Sequence, residues 1–295
     1  MRLGARASRL PPSFPSLLAT ALWAALPAHA ADLTGPLKVI NGQTLQLDAG
    51  DTLLHSVGGF ALDVNGAGST ATLDDTRVDV TGGGSAIQAS AGGSVLVQGG
   101  HIQLGNGSSG VGYALNATGI GSVIHASNLV INAYRNSSGY GTVNATNGGK
   151  IWLDGGSVSS DGHALYSSGR GSELHVSGTT ISNGAGRAIY ADGGALLSLE
   201  SLAMTFAQAT NGSSGRLSAS GSGSVLSLRD VDVINGYFDI DNGGILRITG
   251  GTATANGSSI RLMGTGPVER SPQRNHQCPL EAPAATASTS TAGAS

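Results

Sequence analysis

Cysteine occurs once in the 295 residues, at Cys278. A single thiol closes no intramolecular disulfide, so packing and backbone hydrogen bonding must stabilise whatever folds. Charge is scarce too: Asp, Glu, Lys and Arg make up 11% of the chain, against roughly 25% in an average globular domain. Few charges do not mean disorder here. The disordered class combines low hydrophobicity with high net charge, whereas this chain is 39% hydrophobic with a formal charge of −3. Three of the 15 basic residues (Arg2, Arg6, Arg9) fall in the first ten positions, and none of the 18 acidic residues precedes position 31. The remainder is therefore acidic, and no nucleic-acid partner is expected. Aromatic residues are only 4%, too few for a core of packed rings. No stretch approaches 18 consecutive apolar residues, so no transmembrane helix is expected. Glycine alone is abundant, at 48 residues, more than twice its usual share of about 7%.

The amino terminus has the layout of an export signal. A basic start is followed by the apolar run Leu17–Leu26 and then by Ala28-His29-Ala30, a small-x-small cleavage site before Ala31. Residues 1–30 are thus expected to be a signal peptide.

Two short patterns alternate along the remainder. The first places apolar residues at relative positions −2, 0 and +5: Leu45, Leu47 and Thr52; Val95, Val97 and Ile102; Ile151, Leu153 and Val158; Leu246, Ile248 and Ala253. The second is an apolar pair two residues apart before a Gly-rich corner, such as Leu62 and Val64, Leu115 and Ala117, or Phe238 and Ile240. Each pattern recurs nine times in step. Inward residues two apart have the period of a strand, and the +5 offset reads as two strands joined by a tight turn such as Gly99-Gly100. Extra length falls in polar inserts such as Asn106–Gly110, Asn136–Gly139 and Asn211–Gly215. Constant strands with variable corners describe a solenoid.

Three strands per repeat predict an all-β fold, a right-handed single-stranded parallel β-helix of about nine coils rising about 4.8 Å each. A narrow interior filled from three sides by Val, Ile, Leu and Ala accounts for the lack of rings. A β-sandwich is the alternative, but its strands need not recur at a fixed period. The β-helix is assigned to residues 31–263. Residues 264–295, ending in Ala, Pro, Ser, Thr and Gly, read as a disordered low-complexity tail.

A cleavable signal followed at once by units such as Gly92–Gly100 (GGSVLVQGG) and Gly148–Gly156 (GGKIWLDGG) resembles the passenger domain of pertactin-like bacterial autotransporters. The resemblance covers about residues 31–262 and rests on repeat character. It implies export through the Sec pathway to the periplasm, cell surface or medium, and an adhesin-like or structural role, commonly in virulence, with a host-surface protein or glycan as partner. It also implies a carboxyl-terminal β-barrel in the outer membrane. Here the chain departs from the family: no Phe, Tyr or Trp follows Phe238 and only 33 residues follow Leu262, whereas a barrel needs many amphipathic strands and aromatic girdles. Outer-membrane anchorage is therefore expected only from a barrel supplied separately.

The same fold carries polysaccharide lyases and hydrolases, so a secreted polysaccharide-active enzyme is the alternative and must be judged on residues. The family segments Asn-Thr-Asp, His-Gly and Arg-Ile-Lys do not occur, and the only Asp-Asp is Asp74-Asp75. Asp230, Asp232, Asp239 and Asp241 cluster in sequence, but as corner and outward strand positions. No catalytic residue, cofactor or metal is expected. His125 and His175 share an outward track with Trp152 between them; two coils, about 9.6 Å, separate the histidines, too far for a shared metal. The outward track of the second pattern sets Asn116 beside Asn144 and Tyr166 beside Tyr190, predicting an amide ladder and a ring stack. Tyr166, Tyr190, Trp152, His125 and His175 are the candidate partner-binding residues.

The coil from Leu246 to Leu262 is the last regular one, and an uncovered coil presents unpaired backbone donors and acceptors. End-to-end self-association is expected. Size-exclusion chromatography over a dilution series, with residues 264–295 removed, should show concentration-dependent oligomers; a monomer at every dilution would mean that this coil caps itself.

Overall fold

The computed structural model describes residues 30–105, 112–134, 141–183, 189–207 and 215–254, with strands Ile260–Met263 and Val268–Arg270. The assigned signal peptide up to residue 29, Cys278 and most of the polar inserts lie outside the described residues. Every strand pairing is parallel, and no helix occurs among the described residues. The chain winds as a β-solenoid with three ladders. The first contains the −2 and 0 positions, as in Ser94–Gln98 and Lys150–Asp154. The second contains the +5 positions, as in His101–Leu104 and Ser157–Ser160. The third contains the paired pattern, as in Leu115–Thr118 and Val143–Thr146. Two long strands, Leu196–Phe206 and Val225–Ile234, run through the corner between the first and second ladders and join them into one sheet. The third ladder is a separate sheet of ten strands, one more than the nine repeats read from the sequence. The additional strand is Leu37–Ile40, whose Leu37 and Val39 sit beside Leu62 and Val64.

The corner between the first two ladders is a two-residue bend whose first residue takes positive φ. Asp75, Asn128 and Asp230 fill it at φ 41, 53 and 52°, and Gly99 and Gly155 at 71 and 70°. Asp and Asn tolerate this region better than other L residues. In the Gly155-Gly156 bend the second residue needs glycine for space as well: a Cβ on Gly156 would sit 2.1 Å from the Leu129 carbonyl oxygen of the preceding coil.

The corner after the third ladder holds a device that the two patterns did not reveal. In Gly66–Ser69, Gly119–Ser122, Gly169–Ser172 and Gly221–Ser224 the sequence is Gly-x-Gly-Ser, and each serine is buried. Its hydroxyl donates to the carbonyl four residues back, at 2.9, 2.8, 2.7 and 2.6 Å in turn. The same oxygen accepts the N–H of Gly42, Gly92, Gly148 or Gly194 in the preceding coil, at 2.9–3.1 Å. These serines recur every 50–53 residues, so the repeating unit is two coils clasped together.

The interior is continuous from Val39 to Leu246. Stacked columns such as Val78, Ile102, Ile131, Val158 and Ile181 are at most 1% exposed, because parallel in-register pairing puts each side chain beside its counterpart one coil on. Three placements differ from the sequence reading. The residue beside Val78 is Leu53, fully buried, and not Thr52, which pairs with Arg77; the corner Asp48–Asp51 contains one more residue than its counterparts. At the other end Ile248 is half-buried and Ala253 exposed. Within the segment assigned to the tail, Val268–Arg270 pairs with Leu246–Ile248 and continues the first ladder.

Val97 is 2% exposed and Gln98 is exposed. Val97→Asp places an unpaired charge in the apolar stack and should abolish cooperative unfolding of the purified protein, the cost being several kcal/mol. Gln98→Asp should leave the circular-dichroism melt nearly unchanged, and equal effects would refute this strand phase.

Candidate functional site

Strands of the third ladder present two outward columns, because residues two apart face the same way. The inner column runs Asp63, Gln88, Asn116, Asn144, Tyr166, Tyr190, Ser218 and Asp239. The expected amide ladder is present and longer than its two like residues. Gln88 Nε2 donates to Asp63 Oδ1 at 3.0 Å, Asn116 Nδ2 to Gln88 Oε1 at 2.9 Å, and Asn144 Nδ2 to Asn116 Oδ1 at 2.5 Å. A carboxylate can only accept, so Asp63 fixes the sense of every amide above it. The chain of donors points one way and leaves Asn144 Oδ1 as a buried acceptor with no partner.

Beyond Asn144 the column changes character. Tyr166 and Tyr190 stack at 5.8 Å between centroids with planes 9° apart. The Arg216 guanidinium lies 5.5 Å from the Tyr190 ring centre and pairs with Asp239 at 2.8 Å. Both partners of that ion pair are largely buried, so the pair is sensitive to loss of either member.

The second column is made of small polar groups, Asn65, Ser90, Thr118, Thr146, Ser168 and Asp192. Thr146 Oγ1 donates to Thr118 Oγ1 at 3.1 Å. Between the columns lies a groove of about 360 Å³, with Tyr113, Asn116, Asn144, Thr118, Thr146 and Tyr166 among its lining and no charged residue among the described residues that line it. That volume is within the roughly 300–1,000 Å³ usual for small-ligand sites.

The other three candidate residues form a separate column on the first ladder. Trp152 stacks between His125 and His175, at centroid distances of 4.5 and 5.4 Å. The five candidates are therefore split between two faces. Beside this stack, Glu173 accepts from Lys150 Nζ at 2.6 Å and from His175 Nε2 at 3.1 Å. The Lys150 bond chiefly holds the Glu173 carboxyl below its ordinary range; burial opposes this, and His175 adds to the lowering. On the second ladder, burial and then the nearby Arg77 charge lower the pKa of His101, and Asn132 Nδ2 lies 2.9 Å from its Nε2, as a neutral accepting ring requires.

The four clustered aspartates separate in space. Asp230 forms a corner at φ 52°, and Asp232 accepts from the Thr252 N–H and hydroxyl at 2.9 and 2.6 Å. Asp239 and Asp241 belong to the third ladder. No three His, Cys, Asp or Glu side chains converge on a metal-sized centre among the described residues. Sequence reading missed Tyr113, the Thr118–Thr146 column and the reach of Arg216, since it followed one outward track and compared like neighbours. Phe60 stacking on Tyr113 at 6.3 Å was available only as two aromatics, each two positions before an apolar pair member. The chain matches no protein-family model, no curated protein and no solved structure.

Both shifted groups bind protons less readily in the folded state, so the stability they confer is present at higher pH and lost on acidification. His101 should contribute a loss starting below about 6.5, and Glu173 a second starting below about 4.5. In thermal melts from pH 8 to 3, His101→Gln should flatten the first step and Glu173→Gln the second. Unchanged slopes in both variants would contradict these assignments.

Proposed function

We propose that this chain is an exported, non-enzymatic β-solenoid of the pertactin-like autotransporter passenger type, an adhesin-like rod at or outside the bacterial surface. Residues 1–30 serve as its Sec signal. The observation that carries the reading is the third-ladder face. Outward positions of a solenoid are under no packing demand to be aromatic or amide-bearing, yet Asn116, Asn144, Tyr113 and Tyr166 line one groove there. Tyrosine and amide side chains supply contact area and adaptable hydrogen bonding at low conformational cost, the chemistry of binding surfaces. A role in host attachment, and so in virulence, follows from such a surface carried on a rod.

The test is expression of the full chain with a carboxyl-terminal epitope tag in a bacterium with two membranes. Mass spectrometry should show cleavage between Ala30 and Ala31, fractionation should place the tag outside the cytoplasm, and the purified product should bind cultured host cells. An unprocessed cytoplasmic product would overturn the export reading. Release of reducing or unsaturated ends from a polysaccharide would favour the secreted polysaccharide-active enzyme instead.

A further inference from the structure

We propose that the third-ladder groove binds an uncharged glycan, one hexopyranose ring lying against Tyr113 and Tyr166 with its hydroxyls on the amide and threonine columns. This rests on the reading of that face as the partner-binding one, and it names the ligand class.

The argument begins with the direction of the amide ladder. Asp63 can only accept, so each amide of the column donates one N–H toward it and turns its oxygen toward the next coil. A primary amide has two N–H groups. The ladder uses one on Asn116 and one on Asn144, leaving a second donor on each for the groove. Asn144 Oδ1 is the orphan end of the chain, an acceptor polarised by three successive bonds and satisfied by none. A buried polar atom without a partner is rare enough in native proteins to need a reason. Tyr166 follows Asn144 in the column, so a ligand hydroxyl reaches this oxygen when the Tyr166 ring tilts away from it.

The remaining lining selects the ligand. Thr118 and Thr146 add hydroxyls that both donate and accept. Tyr113 and Tyr166, stacked on Phe60 and Tyr190, line the groove with aromatic carbon suited to the apolar C–H face of a sugar. Among the described residues its lining has no cation to neutralise a carboxylate or sulfate and no anion to hold an amine. Hydroxyl-rich, uncharged and ring-shaped describes a neutral sugar. The His125–Trp152–His175 stack, flanked by Lys150 and Glu173, has a charged setting and lies on another face.

The experiment uses the whole chain purified after export. Titration calorimetry with cellohexaose, mannohexaose and galactohexaose, and with polygalacturonate as an acidic comparison, should show binding of at least one neutral oligosaccharide and none of polygalacturonate. Binding should change the near-ultraviolet circular dichroism of the tyrosines as the Tyr166 ring moves. Tyr166→Ala should weaken binding about tenfold. Asp63→Asn, four coils from Tyr166 and able to remain in an amide ladder, should weaken it about threefold by releasing the ladder's fixed sense. Gln98→Ala, at an exposed position of the first ladder, should leave binding unchanged. Failure of every neutral oligosaccharide to bind, or equal losses in Tyr166→Ala and Gln98→Ala, would overturn the proposal. If host-cell binding persists and depends on Tyr166 while no oligosaccharide binds, the glycan is wrong and the adhesin reading stands. If the cells are not bound at all but an oligosaccharide is, the groove proposal stands and the adhesin reading falls.

Discussion

Registration of each coil on the one before it governs this molecule. Parallel pairing brings residue columns together at one strand spacing, and everything inside the tube must then agree with its counterpart above and below. Interior columns such as Val78, Ile102 and Ile131 satisfy this with branched aliphatics of similar volume. The same rule extends outward. Once the core fixes the register, Asn144 must lie on Asn116 and Tyr190 on Tyr166, so the surface columns are positioned by the core and need no scaffold of their own.

Glycine and serine do the local work that holds the register. The two-residue bends use positive φ to turn the chain without a loop, and Gly156 lets adjacent coils approach where any side chain would meet a carbonyl. At the opposite corner the buried serines satisfy backbone groups in two coils at once. A composition poor in charge and rich in glycine is therefore the composition of a molecule built from corners, in which backbone hydrogen bonds carry the cohesion that disulfides or ion pairs supply elsewhere.

Much of this was legible in the sequence, for a physical reason: in a solenoid, neighbours in space are neighbours in the repeat. The three ladders followed from two-residue alternation, and the Asn116–Asn144 and Tyr166–Tyr190 contacts followed from like residues at like positions. Legibility ended where counterparts differ in kind or number. The extra residue in the Asp48–Asp51 corner moved the buried position from Thr52 to Leu53. Gln88 on Asp63 and Arg216 over Tyr190 are unlike pairs that depend on side-chain reach. Tyr113 lines the groove from two residues before its strand. The Gly-x-Gly-Ser clasp was visible at its spacing, but a search for single-coil repeats passes over a motif present in every second coil.

That alternation gives the rod a natural quantum of length. Removing one coil would set two like corners against each other, a serine facing a serine or a glycine turn facing another, and the hydrogen bonds between them would lose their partners. Removing two coils, about one serine spacing, restores the order of corners at the seam. Rods of this design therefore shorten or lengthen by duplication and loss of paired coils, and the Gly-x-Gly-Ser corners mark the joints at which such exchanges leave the tube intact.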